Sequence, residues 1–234
     1  MQVKRFKLYH SPILRSTRVK WLLHELLADD FDVEIVDVYG AALFDPQYLE
    51  LNPMHAVPIL QMTLEDGDVV SMTESGAMLG MLADMFPARR LAPPANAFSR
   101  ERADYLQMLH FAASSMDMML WQVRVNENVL REHERDARTA QRYRHKLVSE
   151  VTPMLAKRLE TNQYICGDEF TAVDCIMGHN ILWAQMCGAC STPVFGEYVQ
   201  RIANRPAFIK AFADRDQFVR TVPDDAPLHA GFSG

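Results

Sequence analysis

Two stretches of the sequence carry side chains whose types and spacing suit the binding of an anion or a short peptide. The first is Leu51–Ser75, which holds a proline ahead of an apolar run (Val57-Pro58-Ile59-Leu60), a tight turn (Glu65-Asp66-Gly67-Asp68), a second apolar run (Val69-Val70) and a helix start (Thr73-Glu74-Ser75). A helix start presents amides with no intrahelical partner and the positive end of the helix dipole, which together attract a carboxylate. The second is His10–Val19, where Ser11, Arg15 and Ser16 fall between an aromatic strand-like run and a helical pattern. Hydroxyls there cap a helix or donate to an anion, and a guanidinium stabilises a nearby negative charge.

These residues need a scaffold, and the pattern of the chain supplies one. Val3–His10 reads as a strand, and Val19, Leu22, Leu23, Leu26 and Leu27 recur at helical spacing. Phe31–Val38 alternates apolar with acidic residues, so a right-handed crossover places it parallel to the first strand. Asp45–Leu51 is a short helix. Pro58–Met62 and Asp68–Met72 flank an Asp-Gly turn as a hairpin, and Thr73 is the expected N-cap of a helix ended by Pro87. The order β-α-β-α-β-β-α is the layout of a thioredoxin-like domain over residues 1–86. Residues 87–97 (PARRLAPPANA) read as a linker, and residues 98–234 as an all-helical domain, with Thr171-Ala-Val-Asp174 as a capping box. The tail from Val222 has no assigned structure.

Composition narrows the function classes. A formal net charge of -6 without a basic face argues against nucleic-acid binding. No apolar run approaches the ~18 residues of a membrane span, and no signal-peptide pattern opens the chain, so a cytoplasmic protein is expected. Cys187-Gly-Ala-Cys190 is a lone pair with no second ligand pair at suitable spacing. No metal is therefore expected, and the four cysteines read as reduced, structural thiols.

Asn52-Pro53-Met54-His55-Ala56-Val57-Pro58-Ile59-Leu60 resembles the N-P-x-G-x-V-P-x-L segment of the soluble glutathione transferases. Thr73-Glu74-Ser75-Gly76-Ala77 resembles their (T/D)-(E/Q)-S-x-A segment, and Phe170-Thr171-Ala172-Val173-Asp174 their F-(S/T)-x-A-D helix cap, with Val-Asp as its last two positions. The resemblance spans nearly the whole chain, from Phe6 to Phe212. It implies a cis Val57-Pro58 bond, backbone pairing of a cysteinyl peptide at Val57, and Glu74 and Ser75 at the γ-glutamyl end. His55 and Ala56 replace a glycine and a lysine of the segment, which removes one usual polar contact to the peptide.

Glutathione is thus the implied co-substrate, conjugated to a small hydrophobic electrophile, with peroxidase or thiol-disulfide work as a variant and a homodimer as the assembly. Ser11, Ser16 and Arg15 are the candidates for activating the thiol, because Leu14 stands where many serine-type members place their serine. Tyr105, His110, Phe111, Met116, Met119 and Trp121 are expected to line the electrophile's pocket. The alternative is a glutathione-transferase-like binding or regulatory protein that has lost the chemistry.

Overall fold

The computed structural model describes residues 2–227 and His229. A four-stranded sheet in the order β2-β1-β3-β4 forms the first half, from β1 (Val3–His10), β2 (Asp32–Ile35), β3 (Ile59–Leu64) and β4 (Val69–Met72). β1 runs parallel to β2 and antiparallel to β3, with Tyr9 opposite Ile59. β2 is shorter than its alternating pattern suggested. After Ile35 the chain turns away, and the Asp37 carboxylate accepts the Tyr39 amide in a local turn that competes with the ladder. The Asp-Gly hairpin forms between β3 and β4, with Gly67 in the left-handed region at φ 94° that the turn demands.

Helix α1 (Ser16–Leu27) buries Val19, Leu22, Leu23 and Leu26 at the spacing read from sequence. Its Trp21 is fully enclosed by Phe170, Phe208 and Phe212, with ring centroids 5.0–6.2 Å away. Beside it, Arg205 grips Glu25 with two hydrogen bonds of 2.6 and 2.8 Å. Helices α2 (Pro46–Leu51) and α3 (Ser75–Met85) complete the first half.

The second half is helical: α4 (Arg100–His110), α5 (Asp117–Arg124), α6 (Ala137–Lys146), α7 (Thr152–Leu159), α8 (Ala172–Met186), α9 (Pro193–Ala203) and α10 (Pro206–Ala211). Side-chain oxygens of Ser99 and Asp136 cap α4 and α6. Wide π-type turns at Phe111–Met116, Val125–Val129 and Leu147–Val151 join or extend these helices without breaking them. Each such turn shifts the helical register and so rotates the face that follows. At α8 the capping box is complete. Asp174 accepts from the Thr171 amide (2.8 Å) and hydroxyl, and also from the Ile165 amide and the Tyr198 hydroxyl, both at 3.0 Å.

The two halves meet without slack. Gly76, in the first turn of α3, faces Ala113, and a Cβ at Gly76 would lie 2.6 Å from the Ala113 methyl. One continuous apolar core runs from Phe6 and Leu8 of β1 through α1 and α3 into α4, α5 and α8.

Candidate functional site

The peptide edge is built by Asn52. Its side-chain amide donates to the Ala56 carbonyl at 2.8 Å, as does the Tyr48 hydroxyl at 2.9 Å, while its carbonyl oxygens hold the amides of Met54 and His55. The chain then enters the cis Val57-Pro58 bond. Val57 is buried, and its amide and carbonyl make no hydrogen bond among the described residues, so the sheet edge ends in one free donor and one free acceptor. His55 adopts φ 40°, the left-handed region favoured by the glycine it replaces, and its ring stacks on Phe44 at 5.1 Å.

At the start of α3 the residue flanking the helix is Glu74, not Thr73 as expected. Glu74 sits at φ 69°, ψ 100°, which turns the chain sharply into the helix without a side-chain cap. Its exposed carboxylate has no partner among the described residues, and Ser75 is buried with its hydroxyl 3.5 Å from the Arg18 guanidinium.

The loop before α1 behaves differently from expectation. Ser16 is fully buried: its hydroxyl takes the Ser11 amide at 3.0 Å and sits 2.8 Å from His10 Nδ1. His10 Nε2 in turn faces Asp214 at 3.0 Å, a carboxylate that also holds Lys20 at 2.6 Å. Burial pushes the His10 imidazole below its usual pKa. Burial opposes ionisation of Asp214 too, yet His10 and Lys20 bring its carboxyl down to about 2. Ser16 is therefore committed to holding the loop and to docking the tail. Ser11 lines a smaller recess of about 140 Å³ behind Leu14, Val38 and Tyr39. Neither hydroxyl is among the groups lining the main cleft.

Arg15 does line that cleft. Its guanidinium lies 5.2 and 5.8 Å from the rings of Trp121 and Trp183 and bonds the buried Asp117 at 2.5–2.8 Å. Asp117 also pairs with Arg18 at 2.5 Å. Burial works against the Asp117 charge, but the guanidinium groups of Arg18 and Arg15 outweigh it and hold the carboxyl below its ordinary range. Arg18 is fully enclosed, which lowers its pKa to about 10 despite Asp117. It also bonds Asn180 at 2.6 Å and His179 Nδ1 at 3.1 Å.

Because arginine can only donate, His179 Nδ1 must be the acceptor and Nε2 carries the proton. That proton points at the Ile13 carbonyl, 2.7 Å away. Ile13 is a β-branched residue at φ 63°, a costly conformation that this bond from α8 holds in place. Sequence reading missed this cluster, since its members come from α1, α5 and α8 and no local spacing joins them.

The cleft itself is a cavity of about 430 Å³ between the Val57 edge and the helical half. Trp121 lines it as expected. The other five expected pocket residues do not: Tyr105 and Met116 are fully buried in the common core, Met119 is nearly so, His110 is exposed, and Phe111 packs against the core. The π-type turn at Phe111–Met116 rotates the downstream face, so Trp121 and Arg124 reach the cavity while the methionines turn inward. Its remaining walls include Leu182 and Trp183 of α8, Tyr39, and Phe218 and Val222 of the tail. The tail is fixed there by Tyr39 Oη donating to the Val219 carbonyl (3.0 Å) and the Val222 amide donating to Asn128 (2.9 Å). The stripe Leu182, Trp183, Met186, one turn beyond His179, was the available sequence signal for this wall.

A thioredoxin-like sheet whose cis-proline edge faces a helical half across an apolar cleft defines a class of two-part, peptide-binding folds. Family models for the glutathione S-transferase N-terminal and C-terminal domains match residues 8–90 and 105–206. The chain belongs to the glutathione S-transferase superfamily. It is 27% identical to glutathione S-transferase 3 of Schizosaccharomyces pombe, over 86% of this chain and 84% of the relative. It is 26% identical to GstA of Escherichia coli O157:H7, over 86% and 94%. Among solved structures, the glutathione transferase of Methylococcus capsulatus aligns with a TM-score of 0.75 at 27% identity, over 91% of this chain and all of that one. A sphingomonad glutathione S-transferase complexed with glutathione aligns at 0.74 and 25%, over 91% and 100%.

Proposed function

We propose that this protein joins the glutathione thiolate to a small apolar electrophile in the 430 Å³ cleft. The observation that carries the reading is that Val57, whose amide and carbonyl make no hydrogen bond among the described residues, lines that cleft, where the cysteinyl backbone of glutathione would pair by strand addition. Glu74 and the buried Ser75 would take the γ-glutamyl end, with the N-terminus of α3 favouring its carboxylate. In the reaction with an aryl halide, the thiol proton leaves to solvent and the sulfur attacks the ring carbon. A C–S bond forms, and the halide departs with the electron pair of the broken bond.

The group that favours the thiolate is read as Arg15 together with the α1 N-terminus, because the hydroxyls of Ser11 and Ser16 do not line the cleft. Arg15→Leu is expected to move the acidic limb of kcat/KM against pH upward by about one unit, a roughly tenfold loss of rate below it. Ser16→Ala should leave that limb in place; a limb that moved with Ser16 rather than Arg15 would reverse the assignment. Conjugation of aryl halides, epoxides and isothiocyanates, assayed as a panel, tests the reaction itself.

A second reading is favoured by Leu14, an aliphatic side chain on the cleft wall where related enzymes place a serine. In it the protein binds glutathione, or a partner, without turnover. Calorimetric binding of glutathione with silence across the whole panel would select it. A homodimer belongs to the first reading and is checked by sedimentation equilibrium. Among the described residues no helix is long and apolar enough to cross a membrane.

A further inference from the structure

Arg124 is nine-tenths buried, yet no carboxylate pairs with it among the described residues. One of its five donors reaches the Tyr39 hydroxyl at 2.6 Å, and its guanidinium lies 5.0 Å from the Phe218 ring. The charges around it are mostly of its own sign. Arg15 and Arg220 line the same cavity; burial lowers the Arg124 pKa most, Tyr39 opposes it, and Arg15 and Arg220 add to the lowering. Asp117 is already shared between Arg15 and Arg18, and Glu127, the acid on the cavity wall, is paired with Arg144 at 2.6 Å, so neither carboxylate is left for Arg124. Arg220, on the exposed tail, has no carboxylate within pairing distance among the described residues. An arginine held out of water without a counter-ion costs several kcal/mol, and an anion entering the cavity would remove that cost.

We infer that the electrophile taken by this cleft is an aromatic molecule carrying a carboxylate or similar anionic group, with its ring against the apolar wall of Leu182 and Trp183 and its anion on Arg124, assisted by Arg220. Arg124 is thereby a specificity-determining residue of the proposed conjugation, on which the inference rests. The planar fork of arginine suits a carboxylate, and the apolar walls strengthen the pairing by excluding water. Glutathione also carries carboxylates, and the test separates that source.

Binding of two unreactive probes, 4-nitrobenzoate and 4-nitrobenzamide, is followed by quenching of tryptophan fluorescence in saturating glutathione. The wild type is expected to hold the benzoate at least tenfold more tightly than the amide. Arg124→Gln is expected to abolish that preference, and Arg220→Gln, on the exposed tail, to reduce it about threefold. Arg100→Gln, an exposed arginine away from the cleft, keeps the wild-type ratio. Equal affinities for the two probes in the wild type, or a preference that survives Arg124→Gln and Arg220→Gln, overturn the inference. So does a loss of glutathione affinity in Arg124→Gln with no change in the probe ratio, which would assign the guanidinium to glutathione. The probes report anion binding whether or not the protein turns over. With 4-chloro-3-nitrobenzoate and its amide, kcat/KM divided by the uncatalysed rate should show the same ratio. Probe binding without conjugation would fault the transferase reading alone.

Discussion

Asp174→Ala is expected to lower the free energy of unfolding by about 3–5 kcal/mol, enough to consume much of a typical domain's stability. The carboxylate is wholly buried and serves four donors: two backbone amides, the Thr171 hydroxyl and the Tyr198 phenol. Truncation strands them in the core, and each unsatisfied buried group costs roughly 1–3 kcal/mol. Burial pushes the Asp174 pKa up despite those donors. A raised carboxyl contributes stability that is present below its unfolded pKa and is lost as pH rises, so at neutral pH the ionised group itself is not a gain. The expected loss therefore comes from the stranded donors. Asp174→Asn recovers little, because its NH₂ would face donors. Urea unfolding followed by circular dichroism measures the change, and an unaltered midpoint would remove the capping box from the account of the helical half.

The second large effect is a loss of stability in mild acid that is traced to His179. Burial and the adjacent Arg18 charge lower its pKa to about 3, against about 6.5 in an unfolded chain. A depressed pKa gives stability that is complete above the unfolded value and falls as pH drops toward the folded one. The slope is about 1.4 kcal/mol per pH unit, or about 3 kcal/mol by pH 4.5. His179→Gln keeps an acceptor for Arg18 and a donor for Ile13 but cannot titrate. It should flatten the profile by that slope between pH 6.5 and 4.5. His10 is also depressed and contributes its own share, which cancels when wild type and variant are compared. Below that window Asp117 and Asp214 add acid losses of the same sign, because both carboxyls are held below their ordinary values. Parallel profiles for wild type and His179→Gln would exclude the assignment.

Much of the fold was legible because its signals are local. The Asp-Gly hairpin, the period of α1 and the Thr171–Asp174 box each depend on residues a few positions apart, and each formed as read. The Val57-Pro58 edge was legible through resemblance. The chemistry of the first loop was less so. Ser16 looks like a donor for a ligand until His10 and Ser11 are seen to occupy it, and Asp214, which fixes His10, lies about 200 residues away. Periodicity identifies a buried face but cannot tell a core from a cleft. Tyr105, Met116 and Met119 obey it perfectly well while packing into the core; a π-type turn separates Tyr105 from Trp121, and Met119, two residues before Trp121 on α5, points to the other side of that helix. The tail, rich in proline and aspartate, has no period at all, yet Phe218 and Val222 close one wall of the cavity.

The contact between Gly76 and Ala113 has a consequence for the shape of the chamber. With no room for even one more methyl between the halves, any side chain at position 76 would push the Ser75 helix start away from the helical wall. On the opposite wall the tail is held by hydrogen bonds at Tyr39 and Asn128 and by the burial of Val222 and Ala226 against Val129. The close seam fixes one side of the chamber and the packed tail fixes the other, so its shape is set from both ends of the helical half.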